Sequence, residues 1–141
     1  MGRRVWYQRV LAERARELAP GHPAIVAARV RLARALILAG ESGDAVTVML
    51  RAVGEYEQSR GEAHPETLAA RDELAAAYQA AGEINAAGRL MARALADRER
   101  LQGPRDPLTI DTRQRLAAAW PTSERPDRRI TMKFGDLPGS S

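Results

Sequence analysis

Few residues in this 141-residue chain could do acid–base, nucleophilic or metal chemistry, and their spacing works against each use. The two histidines, His22 and His64, each stand immediately before a proline and lie 42 positions apart. Aspartate fills the same place at Asp106-Pro107, so a helix-opening function accounts for all three, whereas a catalytic or metal-binding pair needs partners converging on one site. Asp72 and Glu73 are adjacent carboxylates, but helix neighbours point about 100° apart and make a poor acid–base couple. Ser42, Ser59 and Ser123 have no nucleophile motif around them. Gly40-Glu41-Ser42-Gly43 lacks the Lys-Ser/Thr that completes a phosphate loop, and it reads as a turn. There is no cysteine, which excludes disulfides and thiolate metal centres and fits a reducing compartment, with cytoplasm as the expectation. The residues therefore predict no catalytic group, no metal site and no cofactor, and a protein that is not an enzyme.

What those residues sit in is an internal repeat. The segment 22–63 aligns without gaps on 64–105, a period of 42 residues with 17 identities. A third copy begins at Asp106-Pro107, agrees with the second at Pro107, Thr109, Arg113, Leu116, Ala117, Ala118 and Ala119, and stops where Pro121 replaces Gln79. One period upstream, residues 1–21 align with the second half of a unit. The expected organisation is a repeat domain over 1–120, made of a half-repeat 1–21, repeats 22–63 and 64–105, and a half-repeat 106–120. A polar tail, 121–141, follows.

Each unit carries the punctuation of two helices. Proline is tolerated in a first helical turn, where its missing N–H would be unpaired anyway, so each X-Pro opens a helix. In the second unit Leu68, Leu74, Ala75 and Tyr78 recur at helical spacing up to Gly82, and Gly40 takes that place in the first. A second helix follows from about Asn85 to about Leu101, with Ala87, Leu90, Met91, Ala94 and Leu95 as its apolar stripe. Ala45, Val48, Met49, Ala52 and Val53 repeat that stripe, and Trp6, Tyr7, Val10 and Leu11 do so in the N-terminal half-unit. Hydrophobic residues make up 45% of the chain but aromatics only 4%, so alanine-lined helix crossings are expected to build the core. No apolar run approaches the roughly 20 residues that span a bilayer, and no export signal is read at the N-terminus, so a soluble protein without membrane contact is expected.

These positions resemble the tetratricopeptide repeat. The second unit supplies Leu74, Ala75, Tyr78, Gly82, Ala87, Met91 and Ala94 where that repeat carries its packing residues, and the first supplies Leu32, Ala33, Leu36, Gly40, Ala45, Met49 and Ala52. The 42-residue period and the opening His64-Pro65-Glu66-Thr67-Leu68 are similar to the kinesin-light-chain type, a variant also common in bacterial multidomain regulators. The resemblance implies an all-α, right-handed solenoid of about six helices with an irregular C-terminal tail. It further implies a scaffold or adaptor holding a protein or peptide on the concave face lined by the first helix of each pair.

In that register the candidate binding residues are Val30, Arg31, Arg34 and Ile37 on the first such helix, and Asp72, Glu73, Ala76 and Gln79 on the second. Asp111, Gln114, Arg115 and Ala118 follow on the third. Arg31, Arg34 and Arg115 could fork onto a partner carboxylate, or equally be surface arginines paired with Glu73 and Asp111. The adjacent asparagines usual in the kinesin-light-chain type are replaced by Val30-Arg31, Asp72-Glu73 and Gln114-Arg115, which removes that family's peptide-backbone clamp.

The net charge of +4 makes a basic regulatory protein contacting nucleic acid the alternative reading. Against it, arginine alternates with carboxylates in stretches such as Asp97-Arg98-Glu99-Arg100, the pattern of a solvated helix face with local ion pairs. Both ends are half-units, so apolar surface around Trp6, Ile110 and Trp120 is expected to lie open and to permit self-association. In the tail, Ile130, Met132 and Phe134 alternate with Thr131 and Lys133, consistent with a disordered terminus or with an extended segment folded back as an internal ligand.

Overall fold

The computed structural model describes residues 5, 6, 8–10, 12, 13 and 22–126; the tail beyond Pro126, with the Ile130-Met132-Phe134 alternation, lies outside them. Residues 5, 6, 8–10, 12 and 13 are helical and form an N-terminal helical segment. Five helices follow: α1 (Pro23–Leu38), α2 (Ser42–Arg60), α3 (Pro65–Ala80), α4 (Ile84–Gln102) and α5 (Pro107–Ala119), with a single 3₁₀ turn at Thr122–Glu124. Each helix packs on the next along the chain, and α1 also touches α3. This is an all-α stack of sequential helix pairs. No helix among the described residues is long and apolar enough to cross a membrane.

The three X-Pro openings begin α1, α3 and α5. In each, proline occupies the first turn and the preceding side chain caps it: His22 Nδ1 accepts from the Ala24 N–H at 3.0 Å, His64 Nδ1 from Glu66 at 3.1 Å, and an Asp106 carboxylate oxygen from Leu108 at 3.0 Å. Within a pair the chain reverses at Gly40 or Gly82, where φ is +80° or +81°, a conformation an L side chain rarely adopts.

The core is built on the matched alanines. Ala33, Ala45 and Ala52 lie in one buried cluster with Leu32, Leu36, Met49, Val53 and Leu74, while Ala75 and Ala87 lie in a second with Met91, Leu116 and Trp120. Small side chains at both sides of a crossing let the axes approach to about 8–10 Å. Trp120 is buried, contrary to the expectation of an open surface there. Its ring lies where the side chain of residue 88 would be: a Cβ on Gly88 would come within 2.1 Å of it. Its indole N–H donates to the Asn85 amide oxygen at 2.9 Å, and Arg125 covers it, its guanidinium 5.4 Å from the ring centre. Trp6, by contrast, is 60% exposed and Ile110 38%.

Candidate functional site

Between α1 and α3 runs a mostly apolar cleft of about 230 Å³. Pro23, Val26, Ala27 and Val30 form one wall, Glu66, Ala69, Ala70 and Glu73 the other, and Tyr56 of α2 contributes from between. Ala27 and Ala69 occupy the same repeat position, and a methyl group at each exposed site leaves the cleft open. Its rim is charged. Arg34 holds Glu73 through two hydrogen bonds, and the carboxylate raises the Arg34 pKa further above its ordinary value. Arg60 holds Glu66 at 2.6 Å while its guanidinium lies 5.0 Å from the Tyr56 ring centre. Burial, reinforced by the nearby Glu66 carboxylate, pushes the Tyr56 phenol above its usual range.

Of the sequence-derived candidates, Val30 and Glu73 line this cleft and Arg34 stands at its edge through Glu73. Arg31 is exposed and Ile37 half-buried, packed against the core. Asp72 is engaged elsewhere: Arg98 of α4 grips it at 2.8 and 3.1 Å and also donates to the Thr112 hydroxyl at 2.9 Å. Ala76 is half-buried and Gln79 exposed. On α5, Arg115 meets Asp111 at 3.4 Å one turn away, and Gln114 and Ala118 are exposed. The cleft thus gathers residues from α1 and α3, with α5 forming a separate surface.

Ala27, Ala69 and Tyr56 were not among the candidates. A residue that matters as space at the foot of the first helix, or that enters from the second helix of a pair, falls outside the register positions that define the concave face of the first helices. A repeated arginine has a structural role that the repeat alignment alone does not assign. Arg29, Arg71 and Arg113 recur every 42 residues. Arg71, only 1% exposed, donates to Glu57 of α2 at 2.5 Å and to the Glu62 carbonyl at 3.0 Å, and meets Asp97 of α4 at 3.6 Å. Arg29 pairs with Glu55, the repeat equivalent of Asp97. Arg113 reaches Glu99 at 3.5 Å and the Pro104 carbonyl at 3.4 Å, the equivalents of Glu57 and Glu62, but its side chain is 44% exposed. Arg71 and Arg113 bind their helix pair to the preceding one, while Arg29 holds the two helices of its own pair together; the signal for them was identity at all three copies.

Two further grooves lie between successive second helices. One, of about 450 Å³, includes Leu50, Gly54, Arg71, Leu74, Arg89, Leu90 and Arg93. The other, of about 350 Å³, is formed by Gln8, Ala12, Arg29, Leu32, Thr47, Val48 and Arg51. Every residue of the second set lies 42 positions before a member of the first set, so the N-terminal helical segment sits against α1 and α2 as α2 sits against α3 and α4. Among the described residues, no three His, Cys, Asp or Glu side chains cluster as a metal site would require.

Residues 67–108 match the tetratricopeptide repeat family. Among solved structures, the chain resembles the nearly identical TPR-like repeats of a candidate kinesin light chain from Podosopora anserina, with 29% identity and a TM-score of 0.73 over 83% of this chain and 56% of that one. A single-residue variant of those same repeats gives 28% identity and a TM-score of 0.72, covering 83% and 55%. The chain therefore spans little more than half the length of these structures. No curated protein matches the sequence.

Proposed function

We propose that this chain, an array of tetratricopeptide-type helix pairs, is a scaffold that holds an extended segment of a partner protein along the face made by α1, α3 and α5. Repeats of this kind are generally protein-interaction scaffolds and typically non-catalytic. The observation that carries the reading is the cleft between α1 and α3, an apolar slot whose rim carries the Arg34–Glu73 and Arg60–Glu66 ion pairs. A partner's apolar side chain fits over Tyr56 between Ala27 and Ala69. A partner carboxylate is met by Arg31, which has no acidic partner among the described residues, and by Arg34 if it exchanges Glu73 for the ligand. Asp72, Ala76, Gln79, Asp111, Gln114, Arg115 and Ala118 continue the same face toward the C-terminal end. Ile37 supports it from the core.

The test fills the slot. Peptides selected from a random library on the unaltered protein should bind much more weakly to an Ala69→Trp variant whose melting temperature is unchanged, and replacing Arg31 and Arg34 with alanine should weaken acidic peptides most. Selected peptides that bind the Ala69→Trp protein equally well would remove the cleft from the reading. Strong, steeply salt-dependent retention on DNA would favour the nucleic-acid alternative instead.

A further inference from the structure

The two ends of the stack are complementary halves of one helix pair. On α5, the positions that a following helix covers elsewhere are open. Ile110 is 38% exposed where its equivalents Val26 and Leu68 are buried, and Ala117 is exposed where Ala33 and Ala75 are buried, Ala75 in the same cluster as Ala87 and Met91 of α4. Among the described residues Arg113 has the carboxylate of the preceding helix but not the one that Asp97 gives Arg71 and Glu55 gives Arg29. At the other end, the N-terminal helical segment occupies the place of a second helix, in register with α2 and α4. In that register residue 13 is the equivalent of Glu55 and Asp97, and it is a glutamate, exposed on the surface.

We propose that the chain self-associates head to tail: the N-terminal helical segment of one copy lies along the open face of α5 of another and completes a helix pair across the two molecules. Glu13 then supplies the carboxylate that Arg113 lacks, repeating the Arg29–Glu55 and Arg71–Asp97 contacts between copies. Ile110 and Ala117 are taken out of solvent at the same contact. The end face is separate from the cleft between α1 and α3 and leaves it accessible. Because the two surfaces differ, the contact is heterologous, and each added copy presents a fresh open end, giving a ring or a filament instead of a closed two-fold dimer.

The test is light scattering of the full chain over a wide concentration range, with charge-reversed variants. The unaltered protein should rise in mass with concentration beyond a dimer. Glu13→Arg alone and Arg113→Glu alone each set like charges against one another at every contact and should weaken association by roughly tenfold or more. Mixing the two variants restores an opposite pair at both possible junctions, so the mixture should assemble where neither variant does. Ile110→Glu should abolish assembly without a partner variant that rescues it. A full chain that remains monomeric up to its solubility limit overturns the proposal, as do reversed variants that assemble like the unaltered protein or a mixture that fails to regain mass. Assembly appearing only after removal of residues 127–141 would assign the α5 face to that tail instead.

Discussion

Around Arg71 and around Arg113 one repeat position is built twice with different neighbours. At Arg71 a helix stands on each side, both offer a carboxylate, and the guanidinium is 1% exposed. At Arg113 only the preceding helix is present among the described residues; its contacts lengthen to 3.4 and 3.5 Å and the side chain is 44% exposed. The residue type and its place on the helix are the same, and the main difference is the helix that follows Arg71. In a stack whose units touch only their neighbours, a side chain's energetic weight depends on whether the stack continues past it.

The largest expected effect separates these two arginines. Arg71→Ala should destabilise by about 3 kcal/mol, toward the low end for a broken buried pair because Glu57 and Asp97 keep some access to water. Arg113→Ala should cost less than about 1 kcal/mol, as exposed pairs do. Urea denaturation of both variants measures the contrast, and equal losses would break it. Next comes the aromatic position. In the middle of the stack Val46 and Tyr78 pack in one cluster, whereas at the end Gly88 leaves its place to Trp120. Gly88→Ala should cost about 1–2 kcal/mol despite alanine's better helix propensity, with the Trp120 fluorescence shifting to the red as the ring is displaced. An unchanged melting temperature and spectrum would show that the ring has other room.

A smaller difference is expected at the threonines. Thr67 donates to the Gly61 carbonyl at 2.8 Å, while the equally buried hydroxyl of Thr109 has no partner among the described residues. Thr67→Val should lose about 1 kcal/mol and Thr109→Val should be neutral or stabilising, because the second removes a polar group that is already unsatisfied. Thermal melts of the two valine variants compare them directly. The smallest effect belongs to Tyr56. Its raised pKa means that the folded state favours the neutral phenol, so its contribution to stability is intact below the ordinary value of 10.0 and is lost as pH rises through the folded pKa. An ultraviolet titration should place its ionisation above that of free tyrosine; a midpoint at the free value would contradict the burial seen in the cleft.

Much of this was legible because repetition writes the fold several times. The X-Pro openings, Gly40 and Gly82, and the matched alanines gave helix starts, reversals and crossings, each fixed by backbone chemistry local in sequence. Trp120 departs from the expectation of an open end. Its position implied an open end, but its burial depends on a glycine 32 residues earlier and on Arg125 beyond the helix, and neither is a periodic feature. The site was less legible than the fold. Repeat register found Val30, Arg34 and Glu73, but a cleft is defined by what is missing, and Ala27 and Ala69 carry no chemical label. Asp72 shows the converse: its register suggested the binding face, while Arg98, standing where Tyr56 stands in the preceding unit, draws it into an ion pair no single repeat predicts.

The seat that Gly88 makes for Trp120 gives the two units a reading order. A valine at residue 46 calls for the slimmer Tyr78 in the unit that follows, and the bare backbone at residue 88 calls for an indole. Copying the stretch 22–63 in tandem would present Val46 to Leu36, a side chain of modest size, and the array could grow. Copying 64–105 would present Gly88 to Tyr78 and leave a gap where the larger ring belongs. The chain can be lengthened from its front without disturbing the joint between Gly88 and Trp120.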